Sequence, residues 1–422
     1  MTNRNNITQI GTDWLGIIPK EWGVTKLWEL YTYKKERSDQ EEELLSVYRD
    51  HGVIPKSSRD DNHNKASEDL SNYLLIRPDD LVINKMKAWQ GSIALSAYRG
   101  IVSPAYFTYK LTNTGRKKLH LKYIHHLLRS RMYIETYKRI SKGIRPGQWD
   151  LDPYQFKILP VLVPSIEIQK NIADFLDKKT RVIDELVTKK VKLIKLLLEK
   201  RAAIITSAVT KGLDPKAKMK SSGIDWLGDI PERWNLVKNR SVLFFKGNRK
   251  NSDPNATVLS LSINGVKIKT DLNFGKSTDN YIGHQLVFPG DLVFTPRDFD
   301  QTPILSGVAK DHGCISNLYF VLGVKNGTIN EFVNYYWWGI KYGADYFYNF
   351  SNGMRFSYNR QQFNNIPFLE VPEDEQIAIV KFLKEKDKEF IKFISIIELQ
   401  IKQLKEYRSS LIYSAVTGKI KV

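Results

Sequence analysis

From Val380 onward a seam of mostly apolar residues returns at alternating steps of three and four: Val380, Leu383, Asp387, Phe390, Ile394, Ile397, Ile401, Leu404, Arg408 and Leu411. The same spacing runs 207 residues earlier through Ala173, Leu176, Thr180, Ile183, Val187, Lys190, Ile194, Leu197, Arg201 and Ile204. A seam that repeats every 3.5 residues wraps helices around each other, so the two runs predict a coiled-coil pair. Each run of roughly 40 residues would measure about 60 Å at ~1.5 Å per residue, long enough for a strut. Thr180, Asp387, Lys190, Arg201 and Arg408 interrupt the apolar seam and are expected to fix its register.

Outside these runs the pattern shortens. Leu44 to Tyr48, Leu81 to Asn84 and Tyr106 to Leu111 read as strands, and Leu121 to Tyr137 reads as one helix. The second half repeats the order with Val258 to Ser262, Leu292 to Thr295, Tyr319 to Gly323 and a helix near Asn330 to Tyr342. Pro160 and Pro164, matched by Pro367 and Pro372, mark the exit from each mixed region into its long helix. Gly212 to Pro215 ends the first long helix and opens a short basic linker, Lys216 to Lys220.

The parallel extends to sequence. Asp13-Trp14-Leu15-Gly16, with Ile18-Pro19 and Trp22, returns as Asp225-Trp226-Leu227-Gly228, with Ile230-Pro231 and Trp234, an offset of 225 − 13 = 212. Ser207-Ala208-Val209-Thr210 returns as Ser414-Ala415-Val416-Thr417, an offset of 414 − 207 = 207. Pro78-Asp79-Asp80-Leu81-Val82 matches Pro289-Gly290-Asp291-Leu292-Val293, and Gly143-Ile144-Arg145 matches Gly353-Met354-Arg355. A whole module has been duplicated, and a pseudo-two-fold relation between the copies requires the long helices to run antiparallel. The expected fold is α+β, with two globular domains separated by an antiparallel two-helix coiled coil. The boundaries read as 1–165, 166–212, 213–372 and 373–422.

Composition adds a partner class. Lys and Arg exceed Asp and Glu by 65 to 46, a formal net charge of +19, which suits a polyanion such as nucleic acid. The single cysteine, Cys314, excludes an internal disulfide and a multi-cysteine zinc site. The polar start and the lack of a long apolar run predict a cytoplasmic protein without a membrane span.

No catalytic motif is complete. Asp152-Pro153-Tyr154 lacks the second proline of an adenine methyltransferase motif and reads as a turn. Gly275-Lys276-Ser277 has the tail of a P-loop, but Thr270 stands where the first glycine is required. Asp79, Asp80 and Lys85 suggest a nuclease site, yet the second copy has Gly290, Asp291 and Arg297, so a turn before a strand explains both. His120, His125 and His126 form no convincing metal-ligand set, and no catalytic or metal residue is expected.

The chain resembles the specificity subunits (HsdS) of Type I restriction-modification enzymes. The resemblance rests on the W-L-G-x-I-P-x-x-W segments at Trp14 and Trp226, the P-x-D-L-V strand, and the G-[IM]-R turns. It also rests on the entry into each long helix: Glu167, Gln169, Ile172, Phe175-Leu176, and Asp374, Gln376, Ile379, Phe382-Leu383. It implies two target recognition domains, each reading half of a bipartite duplex DNA site, and long helices that dock two methyltransferase subunits. S-adenosylmethionine would sit in those partners and no cofactor in this chain. Motor-nuclease subunits are further partners it admits, and neither methylation nor cleavage would reside in this chain. A single-chain DNA methyltransferase or nuclease, and a structural or RNA-binding scaffold, remain the alternatives.

Base reading needs cations, amides or aromatics on loops, where the copies differ. The first module offers Lys85, Lys87, Trp89 and Gln90, then Arg145, Gln148 and Trp149; the second offers Arg297, Asp298 and Gln301, then Arg355, Tyr358, Asn359 and Arg360. The tract Tyr335-Tyr336-Trp337-Trp338 lies on a predicted helix, which favours core packing over stacking on bases.

Overall fold

The computed structural model describes residues 13–16, 18–38, 42–59, 69–143, 149–247, 249–263, 265–270, 280–297, 304–325, 327–344, 347 and 357–422. Contacts divide the chain into two compact units, 1–189 with 399–422, and 190–398. This division differs from the boundaries expected at the helix starts. Packing cuts each long helix near its middle, because both ends of each helix are built into a globular core.

Each unit rests on a four-stranded antiparallel sheet with the same strand order. In the first the order is Tyr31–Lys34, Tyr106–Leu111, Leu81–Asn84 and Ile93–Leu95. In the second it is Leu243–Phe245, Phe320–Val324, Leu292–Phe294 and Ser306–Val308. Successive residues of a strand face opposite sides, and the run after Asp80 is apolar on both. Leu81 and Ile83 enter the main core while Val82 enters a second, smaller one. Leu292 and Phe294 divide from Val293 in the same way.

The predicted helix Leu121 to Tyr137 is two helices, Leu121–Leu128 and Arg131–Arg139, broken at Arg129 and Ser130. Buried Tyr123, Ile124, Leu127 and Leu128 lie on the first and buried Met132, Tyr133 and Tyr137 on the second. The apolar spacing runs through the break because both helices bury residues in one core. Two other short readings change. Asp152 begins a helix, Pro153–Lys157, its carboxylate accepting the Tyr154 and Gln155 amides at 2.9 and 3.1 Å. The basic linker contains a strand, Met219–Ser221, paired with Asp229–Pro231.

The long helices span Ile166–Lys211 and Glu373–Val416. Every residue of the two predicted seams is buried or half-buried. In the first unit Arg408 Nε donates to Asp184 Oδ2 at 3.2 Å, an early position on one helix against a late one on the other. In the second, Arg201 Nε donates to Asp387 Oδ1 at 2.7 Å, and Tyr335 donates to the other oxygen of that carboxylate at 2.9 Å. The helices are therefore antiparallel, with arginine pairs at the polar seam positions.

The duplicated motifs explain themselves as packing. Leu15, Trp22, Ile172, Leu176, Ala415 and Val416 share the core of the first unit. Leu227, Trp234, Ile379, Leu383, Ala208 and Val209 share that of the second. The end of the second long helix thus belongs to the first module, and the end of the first long helix to the second. A side-chain carbon at Gly418 (φ 71°) would meet Pro19 and Trp22, and one at Gly212 (φ 77°) would meet Trp234. Glycine supplies the left-handed turn after each helix where a tryptophan seals it. Trp14, half-buried, stands edge-on to Tyr133 at 5.1 Å. The tryptophan and leucine of each W-L-G segment are consequently core contacts.

Two further devices recur. Gln169 is fully buried; its amide donates to the Lys118 and Pro164 carbonyls, both at 2.8 Å, and its oxygen accepts the His120 amide at 2.8 Å. Gln376 does the same with Gly327, Val371 and Ile329 at 2.8, 2.7 and 2.9 Å. Lys34 donates to Asp80 at 2.7 Å, and Lys246 to Asp291 at 2.5 Å. Each aspartate also accepts the amide three residues before it, Arg77 at 2.9 Å and Phe288 at 3.0 Å. The turn they close passes through left-handed backbone at Asp79 (φ 74°) and Gly290 (φ 88°). This is the turn before a strand that the paired motifs predict, and it uses the carboxylate structurally.

Candidate nucleic-acid interface

In the first module the chain leaves the strand Leu81–Asn84, turns through Lys85 and Lys87, and makes one helical turn at Ala88–Gln90. Gly91 (φ 94°) then returns it to the sheet. Lys87 and Gln90 are exposed, and with Ser46, Tyr48, Arg49 and Arg59 they line a concavity of about 250 Å³. Trp89 donates its indole N–H to the Met86 carbonyl at 3.0 Å and packs on Trp149, ring centres 5.2 Å apart. The two loops read separately from sequence therefore meet at an aromatic pair. Lys85 holds the junction: its ammonium lies 3.2 Å from Asp150, and its carbonyl accepts the Leu151 amide at 3.0 Å. That pairing makes Lys85 a bridge between loops more than a free cation for DNA. Arg145 and Gln148 lie outside the described residues.

Behind this turn Arg129 donates to the Ile93 carbonyl at 2.7 Å and to that of Arg49. Burial pulls its guanidinium down to about 10. Burial likewise lowers His125 to about 3, with Arg129 adding to the effect, so its imidazole is neutral at ordinary pH. His126 is bonded to Asp177 at 2.9 Å. These histidines serve packing, and among the described residues no group of His, Cys, Asp and Glu is placed to hold a metal. Cys314 is buried in the strand Gly313–Ile315, which raises its thiol above the ordinary value.

The second module repeats the junction with different chemistry. Pro296 takes the place of Lys85, its carbonyl accepting the Tyr358 amide at 2.8 Å, while the next residue, Arg297, bridges Ser357 in the antiparallel sense, Ser357 standing where Asp150 does. No carboxylate replaces Asp150, and Arg297 is exposed. Tyr358 stands where Leu151 does and is buried in the same manner, its ring edge-on to Phe347 at 5.8 Å. The proposed contact through Tyr358 is thereby corrected: the position is committed to the core. Asn359, equivalent to Asp152, caps the helix Arg360–Asn364, exchanging hydrogen bonds with Gln362 at 2.8 and 2.9 Å. It too belongs to the shared scaffold. Arg360 is exposed and lies over the Phe245 ring at 4.9 Å. Asp298, Gln301 and Arg355 lie outside the described residues, as does Gly275 to Ser277. Tyr336 and Trp337 are fully buried, as the helical reading favoured.

Residues 19–196 match the family model described as the Type I restriction modification DNA specificity domain. No curated protein matches the chain. A solved structure described as "Structural basis underlying complex assembly and conformational transition of the type I R-M system" superposes with a TM-score of 0.68 at 16% identity, covering 96% of this chain and 100% of that one. An HsdS subunit from Thermoanaerobacter tengcongensis gives 0.48 at 15% identity, over 96% and 98%. At such identities the first likeness is one of fold. No described helix is long and apolar enough to cross a membrane. Residues 19–196 thus carry a Type I restriction modification DNA specificity domain, and the second half rebuilds the same scaffold around its own core.

Proposed function

We propose that this chain reads a bipartite duplex DNA site, one half-site per module, and docks two methyltransferase subunits that bind S-adenosylmethionine and methylate adenine. The observation that carries the reading is the contrast between a scaffold that recurs and loops that do not. The Gln169 and Gln376 clamps, the Lys–Asp pairs, the sealed helix ends and the helix caps repeat. The junction between reading loops keeps its backbone link, Leu151 to Lys85 and Tyr358 to Pro296, but the Lys85–Asp150 ion pair gives way to Pro296 and Ser357. One frame with two surfaces suits two different half-sites.

Partner docking is supported by the long helices. In the second unit Val191, Leu196, Ile391, Phe393 and Ile396 are exposed on them, an apolar surface that a monomer has little reason to present. Motor-nuclease subunits would add to the same assembly.

Mapping of methylated adenines tests this reading. Host DNA is sequenced with and without this gene, beside its methyltransferase partner. A split motif with a fixed unspecified gap should be modified only when the chain is present. Modification at a continuous motif, or modification that persists without the chain, would refute it.

A further inference from the structure

The second module carries a basic edge beyond its reading loops. After the strand Leu243–Phe245 the chain reads Lys246, Gly247, Asn248, Arg249 and Lys250. Arg249 and Lys250 are exposed. The Arg249 guanidinium lies over the Phe288 ring at 5.1 Å, as that of Arg360 lies over Phe245 at 4.9 Å. The two arginines share one edge, because a side-chain carbon at Gly247 would come within 3.4 Å of Arg360 Nη2 and 2.9 Å of Gln285 Oε1. Glycine is needed there for that approach. Lys250 is steadied by Asn317 at 2.8 Å.

Among the described residues no carboxylate forms an ion pair with Arg249, Lys250 or Arg360, and Asp291, the acid beside this edge, is taken by Lys246. The first module is built differently at the matching positions. Glu36 replaces Asn248 and pairs with Lys34 and Arg77, and Arg77 itself replaces Phe288. Pro153 stands in place of Arg360. Arg37 already stands at the place of Arg249, but the Glu36 ion pairs beside it are absent from the second copy, where Arg249, Lys250 and Arg360 have no ion pair among the described residues and two of them rest on aromatic platforms. A ring beneath a guanidinium limits its motion while leaving its N–H edge free for an anion.

We propose that Arg249, Lys250 and Arg360 form a phosphate-binding edge that holds the DNA backbone beside the half-site read by the second module. The inference rests on the DNA-reading function above and assigns these residues to backbone contact, not base choice. Removing one cation from a phosphate should lower the slope of log affinity against log salt by about 0.9.

The test uses the assembled complex with its methyltransferase subunits and a duplex carrying the methylated motif, titrated across a salt series. R249Q/R360Q should lower the slope by about 1.8 and weaken every duplex alike, while the methylated sequence stays the same. R249K/R360K should restore most of the slope. K250Q alone should lower it by about 0.9 and guards against any misfolding of the double variant. An unchanged slope in both R249Q/R360Q and K250Q, with a wild-type complex that binds its site, overturns the phosphate edge and leaves the DNA-reading function standing. An altered methylated sequence overturns it as well, because the residues would then be reading bases. A wild-type complex that binds no duplex removes both.

Discussion

Replacing Gln169 or Gln376 with alanine should cost its module about 3–5 kcal/mol, a large part of what holds a domain of this size together. Each side chain satisfies two carbonyls and one amide in the protein interior, and each tethers the loop before its long helix to the first turn of that helix. Truncation leaves all three backbone groups without a partner, and an orphaned buried group costs about 1–3 kcal/mol. Glutamate at either position should be nearly as damaging at neutral pH, since a carboxylate would face two carbonyls. Such a carboxyl has its folded pKa raised, so the variant should regain stability as pH falls and the group takes up a proton. Denaturant unfolding of the full chain, with hydrogen exchange across 118–120 and 327–329, measures the effect. A loss below about 1 kcal/mol, or exchange that rises equally in both modules, would show that the clamp is not what fastens helix to loop.

A second large loss, again about 3–5 kcal/mol, is expected for Asp80→Ala. Lys34 is nearly buried, and removing Asp80 leaves its ammonium with only the exposed Glu36 carboxylate at 3.4 Å and the Arg77 amide without an acceptor. The pair itself contributes less than its rupture costs, because both ions lost their hydration on folding. Lys34→Met with Asp80→Asn keeps an oxygen for the Arg77 amide and removes both charges. That double variant should therefore recover to within about 1.5 kcal/mol of the parent protein. If the double variant were no better than Asp80→Ala, the damage would come from the turn and not from the stranded lysine.

What the sequence made legible followed from local periodicity and from repetition. Alternating steps of three and four located the helix seam down to each residue, because a coiled coil writes its contacts at fixed intervals along one helix. Duplication then made the antiparallel direction deducible, and the Asp184–Arg408 and Arg201–Asp387 pairs agree with it. Contacts between distant positions were not legible in that way. Nothing near Asp80 points to Lys34, 46 residues away, nor does anything near Gln169 point to the carbonyl of Lys118. The boundary at residue 165 was placed by a change of backbone type, whereas the core is closed by residues 399–422 from the far end of the chain. At the candidate interface, the sequence did not reveal which side chains the scaffold had already claimed. Tyr358 repeats Leu151 in the core and Asn359 repeats Asp152 as a cap, so equivalence between the copies marks both as scaffold. Arg249 escapes a reading based on loops that differ between copies, because Arg37 stands at the same place in the first copy.

The central claim is that two copies of one scaffold read two half-sites independently. Exchanging residues 241–364 for the matching segment of a relative tests it most directly, since Lys246 and Asp291 travel together and Gln376, which stays, binds only backbone groups in the replaced part. Methylome sequencing of the exchanged protein with its partners should show one half of the motif changed and the other retained. Both halves changed, or neither, would contradict the account.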